Sequence, residues 1–189
     1  MDLEAIEMHV KGILEAIGED PDREGLRETP GRVARMLSEV LEGTQYTNEQ
    51  IAEMFGKTFE APYDSGDGDA IVMRDITVFS YCEHHMALMY DMSVNVAYIP
   101  NGRVLGLSKI ARICDMAARR LQLQECLGAD IAEIISLAAN TPDVAVSISG
   151  SHSCMTARGI KNASARTVTM TCRGRFRTDS ELKKLIAIN

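Results

Sequence analysis

Leu3, Ile6, Val10, Ile13, Leu14 and Ile17 recur at helical spacing, and Gly18 then opens a polar stretch over 19–25, so the chain begins with an amphipathic helix and a loop. Thr29 ahead of Pro30 reads as an N-cap with proline at the first helical position, where its missing N–H costs nothing. Val33, Met36, Leu37, Val40 and Leu41 continue this second helix over about 30–42, until Gly43 ends the pattern. Thr47 with Gln50 has the form of a capping box for a shorter helix reaching Met54. From Ala61 to Asp69 the residues are those of turns, and beyond them the apolar period changes from helical to extended. The break predicts an N-terminal helical region, residues 1–60, and a second domain, residues 61–189, that carries the chemistry.

Ile71 to Tyr81 is rich in β-formers, and Met92, Val94, Val96 and Tyr98 alternate with Ser93, Asn95 and Ala97 before the turn Pro100-Asn101-Gly102. Ser108 is placed to N-cap a helix through Ile110, Ile113, Cys114 and Ala117, while Leu127, Ile131, Ile134, Ile135 and Ala138 mark another that stops near Pro142. Val144, Val146 and Ile148 alternate again, Thr167 to Phe176 reads as a last strand, and a short helix follows Asp179. The order ββααββ describes an α+β domain, an antiparallel sheet with its helices on one face. Such a sheet has two unpaired edges, and joining them between copies predicts a homo-oligomer.

At 189 residues and 46% hydrophobic, the chain can bury one core but not two large ones. It has no run of eighteen apolar residues and no basic start leading into an apolar stretch, which predicts a cytoplasmic protein without a membrane partner. Cys82, Cys114, Cys126, Cys154 and Cys172 are odd in number and suit reduced thiols or metal ligands better than a disulfide framework. The net charge of -7 argues against a nucleic-acid partner, yet the charge is uneven. Arg103 to Arg177 holds eleven Lys/Arg against five Asp/Glu, a net +6 that leaves -13 for the rest. Positive charge reserved for one half of an acidic chain suits a compact anion such as a polyphosphate, and equally a solvated basic face or an oligomer contact.

The densest chemical signal is Cys82-Glu83-His84-His85, at the predicted end of the first long strand, joined in the second half by His152-Ser153-Cys154. A Cys-x-x-His spacing lets one turn of chain offer a thiolate and an imidazole to the same ion, and a distant cysteine completes three protein ligands. Three ligands leave a position for water, the arrangement of a catalytic zinc rather than a structural one. The alternative, buried cysteines beside satisfied histidines, stays open on spacing alone.

Further stretches accompany these windows: Glu28-Thr29-Pro30-Gly31-Arg32-Val33-Ala34, Ala97-Tyr98-Ile99-Pro100, Gly106-Leu107-Ser108-Lys109, Gln122-Leu123-Gln124-Glu125, and Met155 leading to Arg158-Gly159. Together and in this order, from about Glu28 to Phe176, they resemble the GTP cyclohydrolase I family. The resemblance implies the tunnelling fold, whose ββααββ sheets join around a ring doubled into a decamer with active sites between subunits. It places zinc on Cys82, His85 and Cys154, and acid/base work on His84 and His152. Glu125 becomes the anchor of the guanine N–H groups, with Gln124 beside it in the pocket. Ser108, Lys109, Arg112, Arg158 and Arg32 fall on positions that hold the ribose and triphosphate, Ser108 being counted with the catalytic set. The implied reaction takes GTP and water, opens the guanine imidazole ring with loss of formate, and rearranges the product to 7,8-dihydroneopterin triphosphate, the first step toward folates and other pterins. Two departures stand out: Met86-Ala87-Leu88-Met89 where many members continue with Val and Pro after the second histidine, and Cys126 where Arg is common.

Overall fold

A computed structural model describes residues 1–60 and 69–188, so residues 61–68 of the expected boundary lie outside the described residues. Helix α1 (Leu3–Ala16) is capped by Asp2, whose carboxylate accepts from the Ala5 N–H at 3.0 Å, and it packs along α2 (Thr29–Val40). The N-cap of α2 is Glu28 rather than Thr29. The Thr29 N–H is already held by Leu26 O at 2.9 Å in the preceding turn, which starts the helix a residue early. Helix α3 (Asn48–Phe55) has the expected capping box: Thr47 Oγ1 accepts from the Gln50 N–H and Gln50 Oε1 accepts from the Thr47 N–H.

The strands are β1 (Thr58–Glu60), β2 (Ile71–Cys82), β3 (Ala87–Tyr98), β4 (Arg103–Leu105), β5 (Leu121–Gln122), β6 (Val144–His152) and β7 (Thr167–Cys172). Between and after them come α4 (Leu107–Ala118), α5 (Gln124–Ala139), α6 (Ser153–Thr156) and α7 (Ser180–Lys184). The main sheet runs β5-β2-β3-β6-β7, antiparallel throughout except that β5 joins β2 in parallel at Tyr81–Cys82. A ribbon of β1 and β4 stands apart from it. Register shifts between Met73 and Ile76 and between Tyr90 and Ser93 coincide with positive φ at Asp75 and Asp91, bulges that bend and twist the sheet.

The main core lies between one sheet face and α3, α4 and α5. There Val94, Val96, Val146 and Ile148 meet Ile51, Ile110, Ile113, Leu127, Ile131 and Ile135, all essentially inaccessible. The other face is covered at its Tyr98 end by a smaller cluster that includes Ala97, Ala145, Phe176 and Ile186. Helices are therefore not confined to one face, since α7 and the Gly174–Arg177 turn pack on the second. The last strand stops at Cys172 instead of reaching Phe176. Gly174 takes φ +54° at a point where a Cβ would stand 2.1 Å from Asp143 Oδ1, and the tight turn that follows buries the Phe176 ring.

Arg120 ties the segment after α2 to this core. It donates to Gly43 O at 3.1 Å, Tyr46 O at 2.9 Å, and to Asn48 Oδ1 and Asp130 Oδ2 at 2.8 Å each. Gly43 is required beneath it, because a Cβ there would lie 2.2 Å from Met116 O. Among the described residues no helix is long and apolar enough to cross a membrane.

Candidate functional site

Strand β2 ends at Cys82, the chain reverses through residues 83–86 with Met86 at φ +50°, and β3 begins at Ala87. Strand β6 pairs its last residue, His152, with Met89 of β3, so α6 starts against that reversal, where Ser153 Oγ donates to Leu88 O at 2.6 Å. One ligand atom each of Cys82, His85 and Cys154 consequently lies within 4.8 Å of the others. Cys82 is buried, Cys154 half-buried and His85 exposed, which leaves the group open to one side. Two sulfurs and an imidazole at this separation form a candidate centre for one divalent cation, and the donor set suits zinc. Burial pushes the Cys154 thiol up, the neighbouring Cys82 adds to the shift, and the Arg158 guanidinium opposes it. A cation held by these groups would reverse that balance by favouring the thiolate. Arg158 Nη1 stands 2.9 Å from His85 Nε2, placing a phosphate-type ligand of the sequence reading against the cluster.

Beside this group is a second one. Strand β5 pairs Gln122 with Cys82, and α5 starts two residues later, so its first turn faces the end of β6. Gln124 is 1% exposed, and its Nε2 donates to Ile148 O at 3.1 Å, Thr167 O at 3.0 Å and Thr169 Oγ1 at 3.2 Å. Its Oε1 lies 3.0 Å from His152 Nε2. Burial holds the His152 imidazole below its usual range, and the Glu125 carboxylate pulls the other way.

His84 sits exposed in the same reversal, its ring edge-on to that of His85 at 6.4 Å. The start of α4 is fixed elsewhere. The Leu105 N–H donates to Tyr98 Oη at the far end of β3, whereas Ala117 O at the other end of the helix accepts from Gln122 beside Cys82. Ser108, Lys109 and Arg112 are thus set back from the cysteines by most of a helix, roughly 15 Å for Ser108 at 1.5 Å per residue. The N-cap of α4 is Gly106, which leaves Ser108 as its second residue rather than its cap. Arg32 is exposed on α2 and paired with Glu28. One chain therefore gathers Cys82, His85, Cys154, Arg158, His152, Gln124 and Glu125, with His84 alongside, and does not bring Arg32 or the three residues of α4 to them. Thr167 and Thr169, which hold the Gln124 side chain across strands, and Ser153, whose hydroxyl ties α6 to Leu88 O, serve the site through contacts with no local signature in the sequence.

The family profile described as GTP cyclohydrolase I matches residues 6–187. A GTP cyclohydrolase 1 of Clostridium acetobutylicum is 58% identical over 190 aligned positions, covering 100% of this chain and 97% of the relative. One from Ruminiclostridium cellulolyticum is 59% identical over 186, covering 96% and 94%. Among solved structures, an archaeosine synthase QueF-Like in the apo form superposes with a TM-score of 0.40 at 24% identity, covering 55% of this chain and 91% of that one.

Proposed function

This chain belongs to the GTP cyclohydrolase I family, and we propose that it hydrolyses GTP at the guanine imidazole ring, releases formate and rearranges the product to 7,8-dihydroneopterin triphosphate at the head of pterin and folate synthesis. The observation that carries the reading is the cluster of Cys82, His85 and Cys154 standing next to His152 and Glu125. Cys82, His85 and Cys154 would hold zinc, which would lower the pKa of water and so supply a nucleophile near neutral pH.

The protein's own groups do the rest. Glu125 accepts from the guanine N–H groups and fixes the base, with Gln124 in the wall of the same pocket. His152 exchanges a proton with the imidazole ring of the base as that ring is attacked, and His84 assists at the exposed rim. Arg158 reaches the substrate from the metal side. Ser108, Lys109, Arg112 and Arg32 hold the ribose and triphosphate, their positive charge and the free N–H groups at the start of α4 suiting an anion.

Because Ser108, Lys109 and Arg112 start a helix anchored at the opposite end of the sheet, these groups serve the site of a neighbouring copy in a tunnelling-fold homodecamer. In support, β2 is paired on its outer side only at Tyr81–Cys82, and among the described residues β7 has no outer partner. Phe79 on β2 is 56% exposed, beside a depression of about 340 Å³ between α2 and α4. Within this assignment residues 1–60 form the N-terminal helical region, whose α3 and β1 are joined to the core and to β4, and residues 61–189 form the catalytic domain of a cytoplasmic enzyme.

The test is turnover of GTP by purified protein, following formate and the fluorescence of the oxidised pterin, before and after chelation and re-addition of zinc. Activity lost with the metal and restored by it supports the reading. Full activity in metal-free protein, or none in zinc-loaded protein, overturns it.

A further inference from the structure

Gln124 is the buried polar side chain with the most committed geometry near the site. Its Nε2 stands 3.1 Å from Ile148 O and 3.0 Å from Thr167 O, and carbonyl oxygens only accept. The amide nitrogen must therefore be on that side, which fixes Oε1 toward His152 without ambiguity about the orientation of the amide. An amide oxygen has no proton to give. The 3.0 Å contact to His152 Nε2 is a hydrogen bond only if Nε2 carries the proton. At 1% exposure, with both its N–H groups engaged on β6 and β7, the Gln124 amide has no donor left for a ligand.

We propose that Gln124 is a positioning residue, which holds His152 as the Nε2–H tautomer so that Nδ1 is the ring nitrogen that exchanges a proton with the substrate. The proposal rests on the assignment of His152 to proton transfer given above and deepens it. Gln124 contributes to the pocket wall through this histidine rather than by reading the base. In the neutral ring the Nδ1 lone pair accepts a proton from the substrate or from water. The resulting imidazolium returns that same proton from Nδ1, while the Nε2–H bond to Gln124 stays intact through the cycle. The anchors explain why the alignment is rigid: Ile148 is the middle of β6, and Thr167 and Thr169 belong to the strand paired with it, so three points of the sheet hold one amide.

The first test needs no turnover. In zinc-loaded protein labelled with 15N-histidine, the signals of His152 are assigned by their loss in His152→Asn and read at a pH where the ring is neutral. A protonated Nε2 and an unprotonated Nδ1 are expected, and the reverse tautomer overturns the proposal. The second compares Gln124→Met with Gln124→Glu. The methionine side chain cannot accept from Nε2–H, and kcat is expected to fall about tenfold to a hundredfold with KM for GTP changed less than about threefold and zinc content unchanged. Glutamate keeps an acceptor for Nε2–H and, as the neutral acid, donates its O–H to one of the carbonyls that the amide now serves; in that form it is expected to retain the wild-type tautomer and recover part of kcat. A rise confined to KM, or wild-type kcat in Gln124→Met, removes the positioning role. If the methionine variant fails to fold, the tautomer measured in the wild-type protein still decides. Absence of GTP turnover in the wild type with the Nε2–H tautomer present would instead count against the activity and leave the hydrogen-bond inference standing.

Discussion

Cys114 and Cys154 show how one residue type takes opposite duties in this fold. Cys114 lies wholly inside the core on α4, and burial pushes its thiol far up, with Asp115 adding to the effect. A thiol in the unfolded chain titrates near 8.5, so above roughly that pH the unfolded state sheds a proton that the folded state keeps. The contribution is complete below the unfolded value and is lost as pH rises toward the folded one. Cys114→Ala should flatten the fall in stability between pH 9 and 10.5 by up to about 1.4 kcal/mol per pH unit, read from urea unfolding of both proteins. Cys154 instead meets Cys82 and His85 at the surface, and Cys154→Ala should reduce bound zinc well below one ion per chain and abolish turnover, as measured by metal analysis and formate release. Cys82 and His85 were legible as a pair because their spacing puts both on one turn of chain, and Cys154 joined them through the family resemblance. The contacts of Gln124 were not, because Ile148, Thr167 and Thr169 come from strands 24 to 45 residues away.

At the level of elements, periodicity located each long helix and the four long strands, and the errors fell where a backbone contact decided the end. Thr29 and Ser108 have the chemistry of caps, yet each stands inside the helix it was expected to open: the turn from Leu26 to Thr29 starts α2 early, and Gly106 O already accepts from the Lys109 and Ile110 N–H groups at the start of α4. The two-residue β5 and the ribbon of β1 with β4 are too short for any alternation to register, although β5 is what delivers α5 to the Cys82, His85 and Cys154 cluster. Gly174 is the clearest case of an unseen terminator. Its positive φ, at a point where a Cβ would stand 2.1 Å from Asp143 Oδ1, ends the last strand, and the Arg175 N–H then donates to that same carboxylate at 2.7 Å. Gly174→Ala combines left-handed strain with a steric clash and should destabilise the fold by about 2 kcal/mol or more, visible as a lower denaturation midpoint. Thr47→Ala, which removes half of a capping box on the surface, should cost only about 1 kcal/mol and leave activity unchanged.

At the scale of the whole molecule, the groups proposed to bind the substrate are divided between two places. The candidate metal ligands Cys82, His85 and Cys154 gather with His152 and Glu125 at one end of the sheet, while Lys109 and Arg112 start a helix anchored at the other. If neighbouring copies complete each site, two variants that are each inactive for different reasons should rescue one another. Cys154→Ala lacks a metal centre but keeps the α4 residues, and Lys109→Ala keeps the centre but lacks a phosphate contact. When the two are unfolded, mixed in equal amounts and refolded with zinc, random assembly should return about one site in four with both halves intact, and hence a comparable fraction of wild-type turnover. Mixing the folded proteins without exchange of subunits should return none, which separates shared sites from contamination or recovery of either variant. Should refolded mixtures stay as inactive as their parents while sedimenting as full oligomers, Lys109 must act within its own chain, and the division of labour across the interface falls even if the metal assignment stands.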